Sequence, residues 1–289
     1  MTDCAEINVN GGTGETLHSG NCGLIIMRVG QAAYEFRDDA CEFARVLQEY
    51  NNKVLYPDIN TLLYEEILGT EDRLHWLIHM KAPNDYGKVL EMVETDQSFQ
   101  DISGEDRLSA KGGGNWERMF EEASFRESVI VPQHGLTPAG EDAEMVGLFA
   151  APAQFQVPQQ REEQLHSANA HVIIHRTAQV KYGLRKEGRQ FAFEWQDYIN
   201  RILPGVVTIF LYEETWGTQD RIHWLIHLRE LGAYREIMDL ETVDDEFRKL
   251  LAADRIAQHK GGGTWGRMFV DGTIHDTVLV PLRPRLAAE

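Results

Sequence analysis

The residues best suited to chemistry lie in one short segment that occurs twice. Asp72 to His79 reads DRLHWLIH and Asp220 to His227 reads DRIHWLIH, displaced by 148 positions, with Leu74 against Ile222 as the one difference. Each copy offers an arginine and two histidines. Histidine is the side chain that titrates nearest neutrality, and beside a carboxylate it can move a proton. Arginine can hold the oxyanion that such a step creates. The H-x-x-x-H spacing also raises metal ligation, which works on a helix, where both rings share a face. On a strand, four steps of about 3.3 Å place the two Cα atoms ~13 Å apart, too far for one ion. The secondary structure of the segment therefore decides its chemistry.

The chain around it predicts a strand. Cys22–Val29 is a short apolar run, and Asp38–Asn52 follows with apolar residues at helical spacing (Phe43, Val46, Leu47, Tyr50). Ile59–Ile67 and Asp72–Met80 read as two strands joined by a turn, Leu68–Glu71. A second helical stretch starts at Pro83, a further one runs toward Arg107, and Arg118–Phe120 and Ser128–Pro132 read as closing strands. The whole order then repeats. Arg176 lies over Arg28, Phe191 over Phe43, Tyr212-Glu213-Glu214 over Tyr64-Glu65-Glu66, and Tyr234 over Tyr86. After a one-residue insertion, KGGGTW (260–265) lies over KGGGNW (111–116). The glycine-rich loops carry no Walker pattern; they predict a close backbone turn, with Trp116 and Trp265 as packing anchors or part of a lid. Strand–helix–strand–strand–helix–strand is the split βαβ, ferredoxin-like unit. We expect a disordered polar leader (1–20), repeat 1 (21–134), a Pro- and Gln-rich linker (135–168) and repeat 2 (169–289).

Alternation along a strand assigns Ile222, Trp224, Ile226 and Leu228 to one face, and Arg221, His223, Leu225 and His227 to the other. The first set is expected under the helices and the second to line a cavity between two sheets. If Ile67 pairs with Asp72, then Glu66 faces Arg73 and Tyr64 faces His75; the second copy gives Glu214 with Arg221 and Tyr212 with His223. A slip of one residue would substitute Glu65 and Glu213. The first strand of repeat 2 adds His171 and His175, where repeat 1 has Gly23 and Met27. The richer pocket is thus expected in repeat 2. There His223 would be the general base, Arg221 the oxyanion anchor, and Glu214 and Tyr212 the orienting partners. His227, His175, His171, Trp265, His75 and Arg73 would contact substrate. A divalent metal would need cross-strand ligands from His171, His175, His223, His227 and Glu213. A haem would need a single axial histidine. The bland alternative is an internal network of Glu66–Arg73 and Glu214–Arg221 ion pairs with structurally bonded histidines.

Composition bounds the partners. The 289 residues carry a formal charge of −18, which disfavours nucleic acid and anionic membrane surfaces. Cys4, Cys22 and Cys41 are odd in number and form no C-x-x-C pair, so reduced thiols and a cytoplasmic location are expected. No apolar run reaches the roughly 18 residues of a membrane span.

On element order and duplication, residues 21–132 and 170–281 resemble the dimeric α/β-barrel superfamily. That superfamily includes antibiotic-biosynthesis monooxygenases, NIPSNAP-like and EthD-like proteins, and the haem-binding chlorite-dismutase group. The resemblance implies an α+β fold in which two ferredoxin-like units pack face to face, here within one chain, and further pairing into a homodimer is compatible with it. It suggests a cofactor-independent oxygenase or cyclase acting on a hydrophobic, aromatic, polyketide-like metabolite. A metal- or haem-dependent enzyme and a non-catalytic small-molecule binder are the alternatives.

Overall fold

The computed structural model describes residues 15–134 and 147–283. Eight antiparallel strands close into one barrel, in the order β1-β3-β2-β8-β5-β7-β6-β4. Repeat 1 supplies β1 (Leu24–Gln31), β2 (Ile59–Ile67), β3 (Arg73–Met80) and β4 (Arg126–Pro132). Repeat 2 supplies β5 (Val172–Gln179), β6 (Val207–Trp216), β7 (Arg221–Leu228) and β8 (His275–Pro281). Each repeat makes a four-stranded sheet, and the edges then pair across the duplication: β2 with β8, and β4 with β6. Closure leaves neither sheet with an unpaired edge. The two repeats therefore share one barrel, and the face-to-face arrangement expected from the element order is the one observed.

The helices cover the outside of the barrel. Helices α1 (Arg37–Val54), α2 (Tyr86–Thr95), α3 (Gln97–Gly104) and the single turn α4 (Trp116–Met119) lie on repeat 1. Helices α5 (Arg185–Ile202), α6 (Tyr234–Val243) and α7 (Asp245–Ala252) lie on repeat 2. The expected strand at Arg118–Phe120 is a correction: Asn115 caps a helical turn there through the Glu117 N–H, and Phe120 keeps a lone bridge to Ala32. Beneath the helices run two apolar clusters, one per repeat. Trp76, Leu74 and Ile78 belong to the first, Trp224, Ile222, Ile226 and Leu228 to the second.

The inner face of the barrel is apolar at its centre. Its middle is filled by an apolar cluster that includes Ile25, Met27, Leu62, Leu77, Ile173, Phe210 and Leu225. One end is plugged by parts of two chain segments, 15–20 and 147–168, that lie ahead of each repeat. Leu17, His18, Ser19, Leu165 and Ser167 are buried there, and the linker makes short 3-10 turns at Ala153–Gln156 and Arg161–Glu163. Residues 1–14 and 135–146 of these stretches lie outside the described residues, as does Cys4.

The plug is a two-fold handshake. The backbone N–H of Ser19 donates to Ser167 Oγ at 2.9 Å, and that of Ser167 donates to Ser19 Oγ at 2.9 Å. The Ser19 hydroxyl then meets His227 Nε2 at 2.9 Å, and the Ser167 hydroxyl meets His79 Nε2 at 2.9 Å. The Nδ1 atoms of His79 and His227 lie 3.1 Å from the carbonyls of Asn60 and Thr208. Since a carbonyl can only accept, Nδ1 carries the proton and Nε2 accepts from serine. The hydroxyls of Tyr64 and Tyr212 donate to the carbonyls of Ser167 and Ser19. The rings of His18 and His166 stack with centroids 3.6 Å apart. Burial pushes His79 down to about 4 and His227 down to about 3.

Two predictions follow from this satisfied network. Ser19→Ala strands a buried N–H and a buried imidazole nitrogen. At roughly 1–3 kcal/mol for each unsatisfied group, it should cost about 2–4 kcal/mol in denaturant unfolding, and an unchanged midpoint would contradict the handshake. For pH, both rings take up protons on unfolding, since their folded values lie below the unfolded ~6.5. Their contribution is complete above pH ~6.5 and is lost as pH falls toward 4, with uptake of about two protons near pH 5. The H79Q/H227Q double variant should flatten that slope in melts run across the window.

Candidate functional sites

The barrel end opposite the plug carries the predicted Glu–Arg–His groups, and the strand register is the one expected. Tyr64 pairs with His75 and Tyr212 with His223. Glu66 lies 3.5 Å from Arg73 and 3.1 Å from His75. Glu214 lies 3.4 Å from Arg221 and 3.2 Å from His223. Each carboxylate also accepts a hairpin N–H, Thr70 at 2.8 Å and Thr218 at 2.6 Å. The hairpin glycines make room for this: a Cβ at Gly217 would sit 1.8 Å from Glu214 Oε1. Burial pushes the Glu214 carboxyl up, but the bonds from His223 and Thr218 and the charge of Arg221 outweigh it and hold it below its usual range.

In repeat 2 the chain continues inward. His223 Nδ1 meets His175 Nε2 at 2.8 Å, with the rings stacked. A carboxylate can only accept, so His223 gives its Nε2 proton to Glu214 and accepts from His175 through Nδ1. Burial holds both rings neutral, pushing His223 down and His175 well down, the latter helped by the nearby His223. Both nitrogens of His223 are thereby spent on protein partners, and the ring is 2% exposed.

Several other predicted members lie elsewhere. His171 is exposed ahead of β5. His227 belongs to the plug, and Tyr212, though registered with His223, turns its hydroxyl to Ser19. Glu213 faces outward, where Arg189 pairs with it. Trp265 stands outside the barrel against Phe191, centroids 5.5 Å apart. The proposed metal set is thus dispersed over two barrel ends and two faces. Among the described residues, no group of three or more His, Cys, Asp or Glu could hold a metal ion.

Open space lies instead between each sheet and its helices. In repeat 1 a cleft of about 770 Å³ is walled by Phe43, Trp76, Trp116, Phe120 and Phe125, with Leu47, Phe99 and Ser103 on the helix side and Arg28, Arg126 and Glu127 at the edge. The aromatic wall is continuous: Phe125 lies 5.0 Å from Phe120, 5.9 Å from Trp76 and 5.9 Å from Trp116, centroid to centroid. The matching cleft in repeat 2 measures about 320 Å³. There Trp195 stands in place of Leu47 and Leu251 in place of Ser103. Both volumes fall at the scale of small-molecule sites. Neither lining includes a histidine, so these walls do not fit a haem held by an axial imidazole.

The sequence held signals for both features. His18-Ser19-Gly20-Asn21 recurs as His166-Ser167-Ala168-Asn169 at the same displacement of 148, which marks the plug as part of the duplication. The recurring Phe43, Trp116 and Phe120 mark the outer wall.

The fold defines a tandem ferredoxin-like barrel with helix-covered clefts. The chain belongs to the DUF6039 family, described as a family of unknown function, whose model matches residues 2–287. A comparison with curated proteins finds no match. Among solved structures the fold is similar to that of an anthrone oxidase-like protein, at 10% identity and a TM-score of 0.50 over 94% of this chain and 97% of that one. It is also similar to a protein of Fusobacterium nucleatum described as a monooxygenase, at 9% identity and a TM-score of 0.50 over 91% and 94%. A chlorite dismutase of Candidatus Nitrospira defluvii aligns at 15% identity and a TM-score of 0.44 over 90% and 92%. The first two likenesses concern the fold alone.

If the barrel-end network is a brace and not a ligand site, Glu214→Leu should lower stability while leaving the clefts unaltered. It strands His223 Nε2 and the Thr218 N–H. We expect about 1–3 kcal/mol, discounted for the half-exposed Arg221, with unchanged binding of aromatic probes. Loss of probe binding in a folded variant would place the ligand at the barrel end.

Proposed function

We propose that this protein is a small-molecule enzyme of the cofactor-independent oxygenase or cyclase class, acting on a flat, hydrophobic, polyketide-like aromatic. The observation that carries the proposal is the aromatic-walled cleft of repeat 1, large enough for a fused-ring system. The likeness of fold to an anthrone oxidase-like protein and to one described as a monooxygenase supports the reaction class. The resemblance to NIPSNAP-like proteins contributes nothing to this reading.

The cleft supplies what such chemistry needs from a protein. Stacked rings orient a planar substrate and exclude water from its face. Glu127 is the carboxylate at the cleft edge and is the group we assign to take the proton from an acidic ring position. The carbanion so formed reacts with dioxygen. When a ring methylene becomes a carbonyl, one dioxygen is consumed, one oxygen atom stays on carbon and the other leaves as water. The roles first considered for His223, Arg221, Glu214 and Tyr212 become supporting ones: they hold the sheet that carries Trp76 and Trp224 on its other face.

Anthrone is the first substrate to test, incubated in air with the purified protein and followed by mass spectrometry. Anthraquinone formation above the uncatalysed rate is expected, and Glu127→Gln should lower it at least about a hundredfold in a protein that melts normally. Binding of aromatic probes without product, across a panel of anthrones and phenols, would make the protein a carrier and refute the catalytic reading.

A further inference from the structure

The two clefts are built from matching residues yet differ in how their central arginine is used. In repeat 2, Arg176 has two polar partners and a ring over one face. Its Nε and Nη2 reach the two carboxylate oxygens of Asp276 at 2.7 and 2.7 Å, and Nη2 also reaches the Tyr234 hydroxyl at 3.1 Å. The indole of Trp195 covers its face, 5.5 Å from the ring centroid to the guanidinium carbon. A bidentate carboxylate, a hydroxyl and a ring over one face leave this guanidinium fewer free donors than Arg28 has.

Arg28 holds the matching position in repeat 1. Among the described residues its one polar partner is Glu127, bonded to Nε at 2.5 Å. The longer glutamate in place of aspartate meets the guanidinium on one edge, and Leu47 stands where repeat 2 places the indole of Trp195 over it. Its terminal amino groups are therefore available at the edge of an apolar cleft. Arg126, the residue before Glu127 on β4, also contributes to the cleft lining, where repeat 2 has His275.

We propose that the clefts have parted in role: repeat 1 binds one flat aromatic ligand whose anionic oxygen, a phenolate or carboxylate, is received by Arg28, while Trp195 and Leu251 leave the cleft of repeat 2 too narrow for it. This rests on the cleft reading above and adds the charge of the ligand and the number bound. The walls choose a ring system by stacking, and the guanidinium chooses an anion by charge-assisted hydrogen bonds that a neutral molecule of the same shape forms less strongly. Repeat 2 remains as the other half of the barrel, since without β6 and β8 both edges of the first sheet would be bare.

Calorimetric titration of the full chain with 2-naphthoate, and with neutral 2-naphthalenemethanol as its shape control, tests this. We expect one naphthoate per chain, bound more tightly than the alcohol. Arg28→Gln should weaken naphthoate about tenfold or more and the alcohol by less than about twofold. Leu47→Trp, or Ser103→Leu where the first does not fold, should remove binding of both probes. The W195L/L251S double variant should open the second cleft and raise the alcohol stoichiometry to two per chain. Two sites in the unmodified chain, equal weakening of both probes by Arg28→Gln, or binding that survives both filling variants would overturn the proposal. No binding of either probe would overturn it together with the cleft reading. Binding as expected with no turnover of any substrate would leave it standing and remove only the enzymatic assignment.

Discussion

A strand at the centre of a closed barrel has two buried faces, and this constraint governs the protein. β3 and β7 are flanked on both sides by other strands, covered outside by helices and packed inside against their counterparts. Every polar group on such a strand must find a partner or cost stability. The repeated octapeptide meets that demand residue by residue. Its aspartate binds helix arginines (Arg37 to Asp72, Arg185 to Asp220). Its arginine and first histidine meet a glutamate of the neighbouring strand, its tryptophan enters the outer cluster, and its last histidine closes on a serine of the plug. Each polar side chain of the segment thus has a partner within the protein.

That exhaustion of partners decides where chemistry can occur. Catalysis by histidine needs a ring nitrogen that can reach the substrate, and His223 has given both of its own to Glu214 and His175. The middle of the interior holds a cluster of buried apolar side chains. Space remains where a rigid sheet meets separate helices, because helices of different lengths cannot cover a twisted surface without gaps. The size of each gap is then set by single residues, Leu47 and Ser103 on one side, Trp195 and Leu251 on the other.

Duplication within one chain gives this arrangement a freedom that two identical chains lack. In a symmetric homodimer, a substitution that fills one cleft fills both. Here the two halves share closure, register and plug, while the residues that touch no inter-repeat contact are free to diverge. The differences between the clefts fall among such residues. No helix of the described structure is long and apolar enough to cross a membrane.

Much of this architecture was legible in the sequence, and the reasons are local. Strand alternation assigned Trp224 and His223 to opposite faces, and the position of the turn fixed the register that joins Glu214 to Arg221, because pairing across a short hairpin depends on residues close in sequence. The duplication gave the two sheets. What the sequence could not decide was which face holds space. Alternation says that two faces differ, but not whether the polar one meets water, a ligand or its own counterpart. That required the plug, made by Ser19 and Ser167 from stretches whose polar letters resemble a leader and a linker, and whose order comes from partners 208 and 88 residues away. The His18–Asn21 and His166–Asn169 repeat was visible, but its meaning was not. A serine becomes structural only when closure of the barrel brings a buried histidine to it, and that closure is a property of the tertiary fold.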